Sequence, residues 1–332
     1  VQSGEGSAYG VVARRGIDMA IEKINASGGV LAKQIEVNHQ DDAGDPKKTI
    51  SAFKQLVEVE HVKFIIGPSW SNLGIALIDM AGRSKTVMIS PSLGVATFNE
   101  ANKYLFNTKE HDFIGTDRLA ERVYAQGYRS VALVSAEHVW CYEQKSVFTK
   151  KFEALGGKIA LTVEMLPGTS NVLPEALKIK KAKNIDAVVY LTDGITAGSL
   201  VAKALKGLKF KLPMFSVILD QPAIDAAQGG YDGVEIVTSL TPDSEFRQMY
   251  ETRYKEQIQV GADTAYDAVM LLARAISAAG NAEDSDAVAE KLAAIEKYDG
   301  VSGNLTSDGK RGYTKDSYAV VKVVDGKLVG IK

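Results

Sequence analysis

Small hydroxyl residues, glycines and aromatics gather where short apolar runs of this chain end. Gly67-Pro68-Ser69-Trp70-Ser71-Asn72 follows one such run and Ser90-Pro91-Ser92-Leu93-Gly94 follows the next. Hydroxyls and backbone N–H groups in neighbouring loops suit a carboxylate; standing alone, the same residues would serve to N-cap a helix through Ser71 or Asn72. Further along, His138-Val139-Trp140-Cys141-Tyr142, Thr192-Asp193-Gly194 and Leu219-Asp220-Gln221 hold equivalent places. An aromatic ring supplies flat apolar area, and a carboxylate can hold an ammonium. Taken alone, Asp220 reads as the cap of a helix opening at Pro222.

Catalytic chemistry is not announced. His39, His61, His111 and His138 lack paired-ligand spacing, and the single cysteine, Cys141, can neither close an internal disulfide nor build a thiolate metal site. Gly4, Gly6 and Gly10 are spaced GxGxxxG with no strand before them in the chain, so they read as a loop entering a helix rather than a phosphate cradle. P-loop and GxSxG patterns are absent. No nucleophile or poised acid–base pair stands out. No catalytic residue, metal or cofactor is expected.

The elements that must position these loops alternate. Ile17, Ala20, Ile21 and Ile24 fall at helical spacing, and Gly28-Gly29 supplies a stop. Ile35-Glu36-Val37-Asn38 alternates like a strand, and Asp45-Pro46 predicts an N-cap and first helical residue. Apolar runs at 62–66 and 86–89 predict strands on either side of a helix through Ile75, Leu77, Ile78 and Met80. After a loop-like stretch at 107–112, a second series is predicted. Its helices are 118–126, 144–155, 173–182 and 197–208, and its strands are 131–134, 159–163, 187–191 and 214–217. Strands apolar on both faces favour parallel sheets covered by helices. Helices at 246–257, 263–279 and 285–296 follow, and 318–324 with 328–331 reads as a closing hairpin around Asp325-Gly326.

Composition sets the frame. A chain of 332 residues, 45% hydrophobic and 24% charged, suits about two globular domains. Its 39 basic and 41 acidic side chains nearly cancel, which argues against a nucleic-acid or anionic-membrane partner. No apolar run spans a bilayer and no charged-then-apolar leader opens the chain, so the protein either was never exported or is a mature form.

These segments together resemble the type I periplasmic binding proteins, in the leucine/isoleucine/valine-binding branch of the ABC-transporter substrate-binding proteins. The resemblance is carried by Ala8-Tyr9-Gly10, Ile24-Asn25-Ala26-Ser27-Gly28-Gly29-Val30 and Asp41-Asp42-Ala43-Gly44-Asp45-Pro46. Ile66-Gly67-Pro68, Ile89-Ser90-Pro91-Ser92, Tyr266-Asp267-Ala268-Val269, Gly303, Asp308-Gly309 and Tyr318 continue it in family order. It implies an α/β protein of two doubly wound lobes with mainly parallel central sheets, joined by a three-crossing hinge. Lobe 1 would comprise 1–111 and 241–312, and lobe 2 112–240 and 313–332, with crossings near His111, near 239–242 and near 312–315. The first strand of the family is reduced here to Val1-Gln2.

The resemblance also assigns roles. Ser71 and the backbone from Ser92 through Leu93 to Gly94 would bind a ligand carboxylate, with Tyr9 covering it. Trp140 takes the place of a family tyrosine that closes over the ligand, Asp220 that of the acid holding the α-ammonium, and Thr192 or Asp193 another wall position. Trp70 replaces a small or apolar residue, Leu93 and Gly94 lack a hydroxyl, and Cys141 stands where the family prefers glycine. The implied function is capture of a small carboxylate, foremost an amino acid, by cleft closure and delivery to an ABC permease. The protein would be an exported monomer of the periplasm or cell exterior, with no membrane span. Trp70 and Trp140 leave an aromatic or other non-amino carboxylate as the alternative, and a receptor's sensing domain as another.

Overall fold

The computed structural model describes residues 1–4, 7–166, 168–192, 197–239, 243–315 and 318–331. In its first stretch lie α1 (Ser7–Ala26), α2 (Pro46–Lys54), β1 (Phe64–Ile66), α3 (Ser71–Ser84), β2 (Val87–Ser90), the short α4 (Thr97–Glu100) and β3 (Leu105–Asn107). Then come α5 (Asp112–Ala125), β4 (Ser130–Ala136), α6 (Val139–Ala154), β5 (Lys158–Met165) and α7 (Leu173–Lys181). They are followed by β6 (Ala187–Leu191), α8 (Ala197–Gly207), β7 (Met214–Ser216), α9 (Gln221–Ala226) and β8 (Glu235–Thr238). A helical stretch of α10 (Ser244–Tyr254), α11 (Ala262–Ala279) and α12 (Ser285–Ala293) precedes β9 (Lys297–Gly300), β10 (Gly303–Ser307) and β11 (Tyr313–Thr314). The chain closes with β12 (Ala319–Val324) and β13 (Lys327–Ile331).

Two compact units result: Val1–His111 with Leu240–Ser317, and Asp112–Ser239 with Tyr318–Lys332. The sequence reading places the last change of unit at 312–315. In the structure 313–314 stays with the first unit, because Thr306 pairs with Thr314 and Ser307 with Tyr313.

In the first unit, β1, β2 and β3 form a parallel sheet in that order, with Phe64 opposite Val87 and Met88 opposite Leu105. Asp45 caps α2 as expected, its Oδ1 accepting the N–H of Lys47 at 2.8 Å and of Lys48 at 3.0 Å. The late helix α11 is buried along most of its length and packs on α1. Gly16 permits the close approach: a Cβ there would lie 2.0 Å from the Ala262 carbonyl oxygen. A strand at 35–38 does not form. Its alternation needs a neighbouring ladder, and among the described residues β1 pairs only with β2. A cavity of about 760 Å³ is lined by both segments, Ile35 and Val37 as well as Phe64 and Ile66. Val37 is consequently 45% exposed. Val1 and Gln2, expected as the remnant of a first strand, lie in no strand either. The antiparallel β9–β10–β11 sheet was not legible in the sequence, because Lys297-Tyr298-Asp299-Gly300 carries little β propensity.

The second unit holds a seven-stranded sheet in the order β13-β12-β8-β7-β6-β4-β5. β4 to β8 run parallel, and β12 joins antiparallel to both β8 and β13. Val188, Tyr190, Ile236 and Val134 pack with Val201, Leu205 and Ile179 of the flanking helices in one core. Both faces of β6 are buried, which is why Ala187 to Leu191 reads as an unbroken apolar run. α6 begins five residues before the sequence reading places it, at Val139 rather than residue 144. His138 supplies the cap, its Nδ1 accepting the Trp140 N–H at 3.4 Å.

Candidate functional site

In open α/β sheets the loops beyond the carboxyl ends of the strands collect free donors, most of all where strand order reverses. Each unit has such a cluster.

In the first unit, β1 leads to Ser69, Trp70 and Ser71, and β2 leads to the loop from Pro91 to Gly94. The two loops are tied by hydroxyls. Ser90 Oγ donates to the Pro68 carbonyl at 2.9 Å, and Ser92 Oγ donates to the Ser69 carbonyl at 2.8 Å. Thr264 Oγ1 from α11 holds the Pro91 carbonyl at 2.6 Å, and Asn107 Nδ2 holds that of Leu93 at 2.7 Å. Ser71, 5% exposed, is the first residue of α3, and Trp70 occupies the cap position without a side-chain capping bond. The simple N-capping expected of Ser71 or Asn72 is therefore not what these side chains do. The first turn of a helix carries backbone N–H groups that its own ladder leaves unpaired, together with the positive end of the dipole.

Part of the expected donor set is engaged elsewhere. Ser90 Oγ accepts the N–H of Leu93 at 3.0 Å and that of Ser92 at 3.3 Å. The Leu93 side chain is fully buried and packs over Gly74 beside Phe98. Leu93 is thus a core residue whose N–H shapes the loop, while Gly94 is buried next to it and Ser92 is half-buried. Tyr9 stands in the first turn of α1, half-buried.

In the second unit the order β5-β4-β6 makes the gap between β4 and β6 the reversal point. Trp140 follows β4, Thr192 follows β6 and Asp220 precedes α9 beyond β7. Trp140 sits in the first turn of α6, 4% exposed, and its indole Nε1 donates to Asp112 Oδ2 at 2.7 Å. Asp112 was missed from the sequence; an acidic residue opening a helix looks like an ordinary dipole partner. Thr192 is buried with its hydroxyl over Gly198, where a Cβ would come within 2.3 Å of Thr192 Oγ1 and 2.8 Å of the Tyr231 hydroxyl. Burial, reinforced by the charge of Asp220, raises the Tyr231 phenol above its ordinary range. Asp220 is buried and caps α9, Oδ1 accepting the Ala223 N–H at 2.8 Å, as its reading in isolation predicts. Asp193 lies outside the described residues.

Two further buried acids, Asp263 and Asp267 on α11, have structural surroundings. Asp267 accepts the N–H of Val301 at 3.0 Å and of Ser302 at 2.9 Å, and burial pushes its carboxyl up to about 6. Burial raises Asp263 as well. Cys141 is buried. Among the described residues no group of three or more His, Cys, Asp or Glu could hold a metal, and no helix is long and apolar enough to cross a membrane. The clusters offer hydroxyls, helix N-termini, an indole and a carboxylate, which is equipment for holding a polar solute.

The profile of the family described as periplasmic binding protein matches residues 1–327. The chain belongs to the periplasmic binding protein family. This periplasmic binding protein is 26% identical over 340 residues to the Leu/Ile/Val-binding protein BraC3 of Rhizobium johnstonii, covering 98% of this chain and 90% of that one. Its fold matches the leucine-binding protein LivK of Thermotoga maritima with a TM-score of 0.91 at 22% identity, over 100% of this chain and 95% of that one. It also matches a solute-binding protein of an ABC transporter from R. palustris, solved in complex with benzoate, with a TM-score of 0.86 at 19% identity, over 99% and 93% of the two chains. The α/β fold with mainly parallel sheets and the periplasmic binding protein family, both expected from the ordered motifs, are what the structure and these matches show.

Proposed function

We propose that this chain is an extracytoplasmic solute-binding protein that captures a small amino acid, foremost a branched-chain one, and delivers it to an ABC permease. The observation carrying the reading is the N-terminus of α3: Ser71 opens it nearly buried, and no described side chain caps it. That is a prepared seat for a carboxylate. Ser71 Oγ and the first-turn N–H groups take the carboxylate, and Gly94 and Tyr9 line its side. Trp140 covers the ligand's apolar part, Thr192 or Asp193 adds a wall, and the Asp220 carboxylate takes the ammonium. The ligand is enclosed by closure, no bond is made or broken, and no metal or cofactor takes part. The domains assigned to the two lobes, the export of a mature monomer and the permease partner belong to the same reading.

Micromolar binding corresponds to about 8 kcal/mol, within reach of a few charge-assisted hydrogen bonds and one buried aromatic face. Titration calorimetry with leucine, isoleucine and valine tests it. Asp220→Ala should weaken leucine binding by at least about a hundredfold, the scale of a lost charge-assisted contact that leaves the ammonium buried. Wild-type affinity in that variant would remove Asp220 from the site. A second reading, an aromatic carboxylate without an amine, is favoured by Trp70 and Trp140 and by the benzoate bound to the R. palustris neighbour. It predicts that benzoate binds more tightly than leucine and that Asp220→Ala leaves benzoate affinity intact.

A further inference from the structure

The pair formed by Asp112 and Trp140 has no counterpart among the contacts expected from the sequence. Asp112 is the first residue of the second unit, immediately after His111, and the first residue of α5. Its Oδ2 accepts the indole N–H of Trp140 at 2.7 Å, joining the N-terminal turns of α5 and α6. The junction continues along the two helices. One turn on from each partner, Thr116 Oγ1 donates to Gln144 Oε1 at 2.5 Å, and both residues are fully buried. Farther along, Lys151 of α6 bridges Asp117 at 2.9 Å and Glu121 at 2.6 Å on α5. The indole is therefore fixed by a charge-assisted bond at the end of a continuous helix–helix seam, and its one hydrogen-bond donor is engaged within the protein.

We propose that Asp112 is the positioning residue for Trp140, holding the indole in the orientation in which only its carbon ring faces a ligand. This rests on the proposed role of Trp140 as the wall over the ligand. With the N–H engaged, the ring rewards apolar ligand surface and offers nothing to a ligand acceptor, so it selects for an aliphatic or aromatic body over a polar one. Because Asp112 directly follows the chain crossing at His111, the same bond ties the wall to the backbone of that crossing.

The test uses the full chain and four variants: Asp112→Ala, Asp112→Asn, Trp140→Phe and Trp140→Ala. The probe is leucine, or benzoate should the wild type prefer it. Two readouts are followed, affinity by calorimetry and the indole N–H resonances in ¹H–¹⁵N spectra, of which the chain's two tryptophans give two. Asp112→Ala should weaken binding about tenfold or more and move one indole resonance, while Asp112→Asn, which keeps an acceptor oxygen, should recover most of the affinity. Trp140→Phe, which keeps a ring but removes the donor, should weaken binding to a similar degree. Wild-type affinity in Asp112→Ala, or two unmoved indole resonances, overturns the positioning role. If Trp140→Ala also binds like the wild type, the wall reading itself falls; if Trp140→Ala loses binding while Asp112→Ala does not, only the positioning inference fails. Should Asp112→Ala not fold, the affinity of Trp140→Phe decides alone: unchanged affinity there overturns the proposal.

Discussion

Single side chains in this protein owe their roles to what surrounds them, and Asp267 shows it most directly. Its carboxyl rises from 3.8 to about 6 because burial disfavours its charge. An acid with a raised folded pKa keeps its proton in the native state after the unfolded chain has released it. Between about pH 4 and pH 6 the unfolded state thus binds fewer protons, and this group's contribution to stability falls as pH rises. Asp267→Asn cannot titrate, so the stability of the wild type minus that of the variant should drop by about 2–3 kcal/mol across that window, measured by urea unfolding at pH 4, 5, 6 and 7. A difference that stays constant with pH would show the carboxyl titrating normally. Ser90 makes the same point from the other side. Its hydroxyl accepts two backbone N–H groups, those of Ser92 and Leu93, that the sequence reading offered to a ligand.

At the scale of elements, the contact of α1 with α11 depends on one missing side chain. Gly16→Val places carbon against the Ala262 carbonyl, where even a Cβ would stand at 2.0 Å, and the helices must separate. The expected loss is about 2–4 kcal/mol by chemical denaturation. Val37→Thr, in the segment that finds no strand partner and remains 45% exposed, should change stability by less than about 0.5 kcal/mol. A large loss there would mean that this segment pairs in solution. Helices α2 and α8 were legible because their apolar spacing, and for α2 its cap, lie within the segment itself. The start of α6 was not, since the His138 cap lies in what reads as a loop, and the strand at 35–38 failed because pairing is not a local property.

For the whole molecule, ligand capture and stability are linked. A ligand at a hundred times its dissociation constant adds about 2.7 kcal/mol to folding, enough to raise the melting temperature by roughly 4 °C in a chain of this size. Leucine should do so in a thermal scan, and small-angle scattering should show a smaller radius of gyration with ligand than without, as the proposed closure requires. A shift in melting temperature with an unchanged radius would support capture and reject closure. The division of the chain into units made of separated stretches is also a property of this scale. The helices after residue 243 belong with the first stretch because α11 packs on α1, a contact between segments some 250 residues apart.

Local chemistry carried most of the elements and the family. Apolar runs buried on both faces made parallel strands, Asp45-Pro46 made a helix start, and the ordered loop motifs pointed to a periplasmic binding protein, because each of these signals is complete within a few residues. Tertiary structure decided which donors are engaged and which edges find partners: Leu93 N–H on Ser90, the Trp140 indole on Asp112, Tyr313 with Ser307, and no strand partner for 35–38 among the described residues. Hydrogen bonds and ladders are relations between groups, and the second group of each pair is chosen by the fold, not by the residues beside the first.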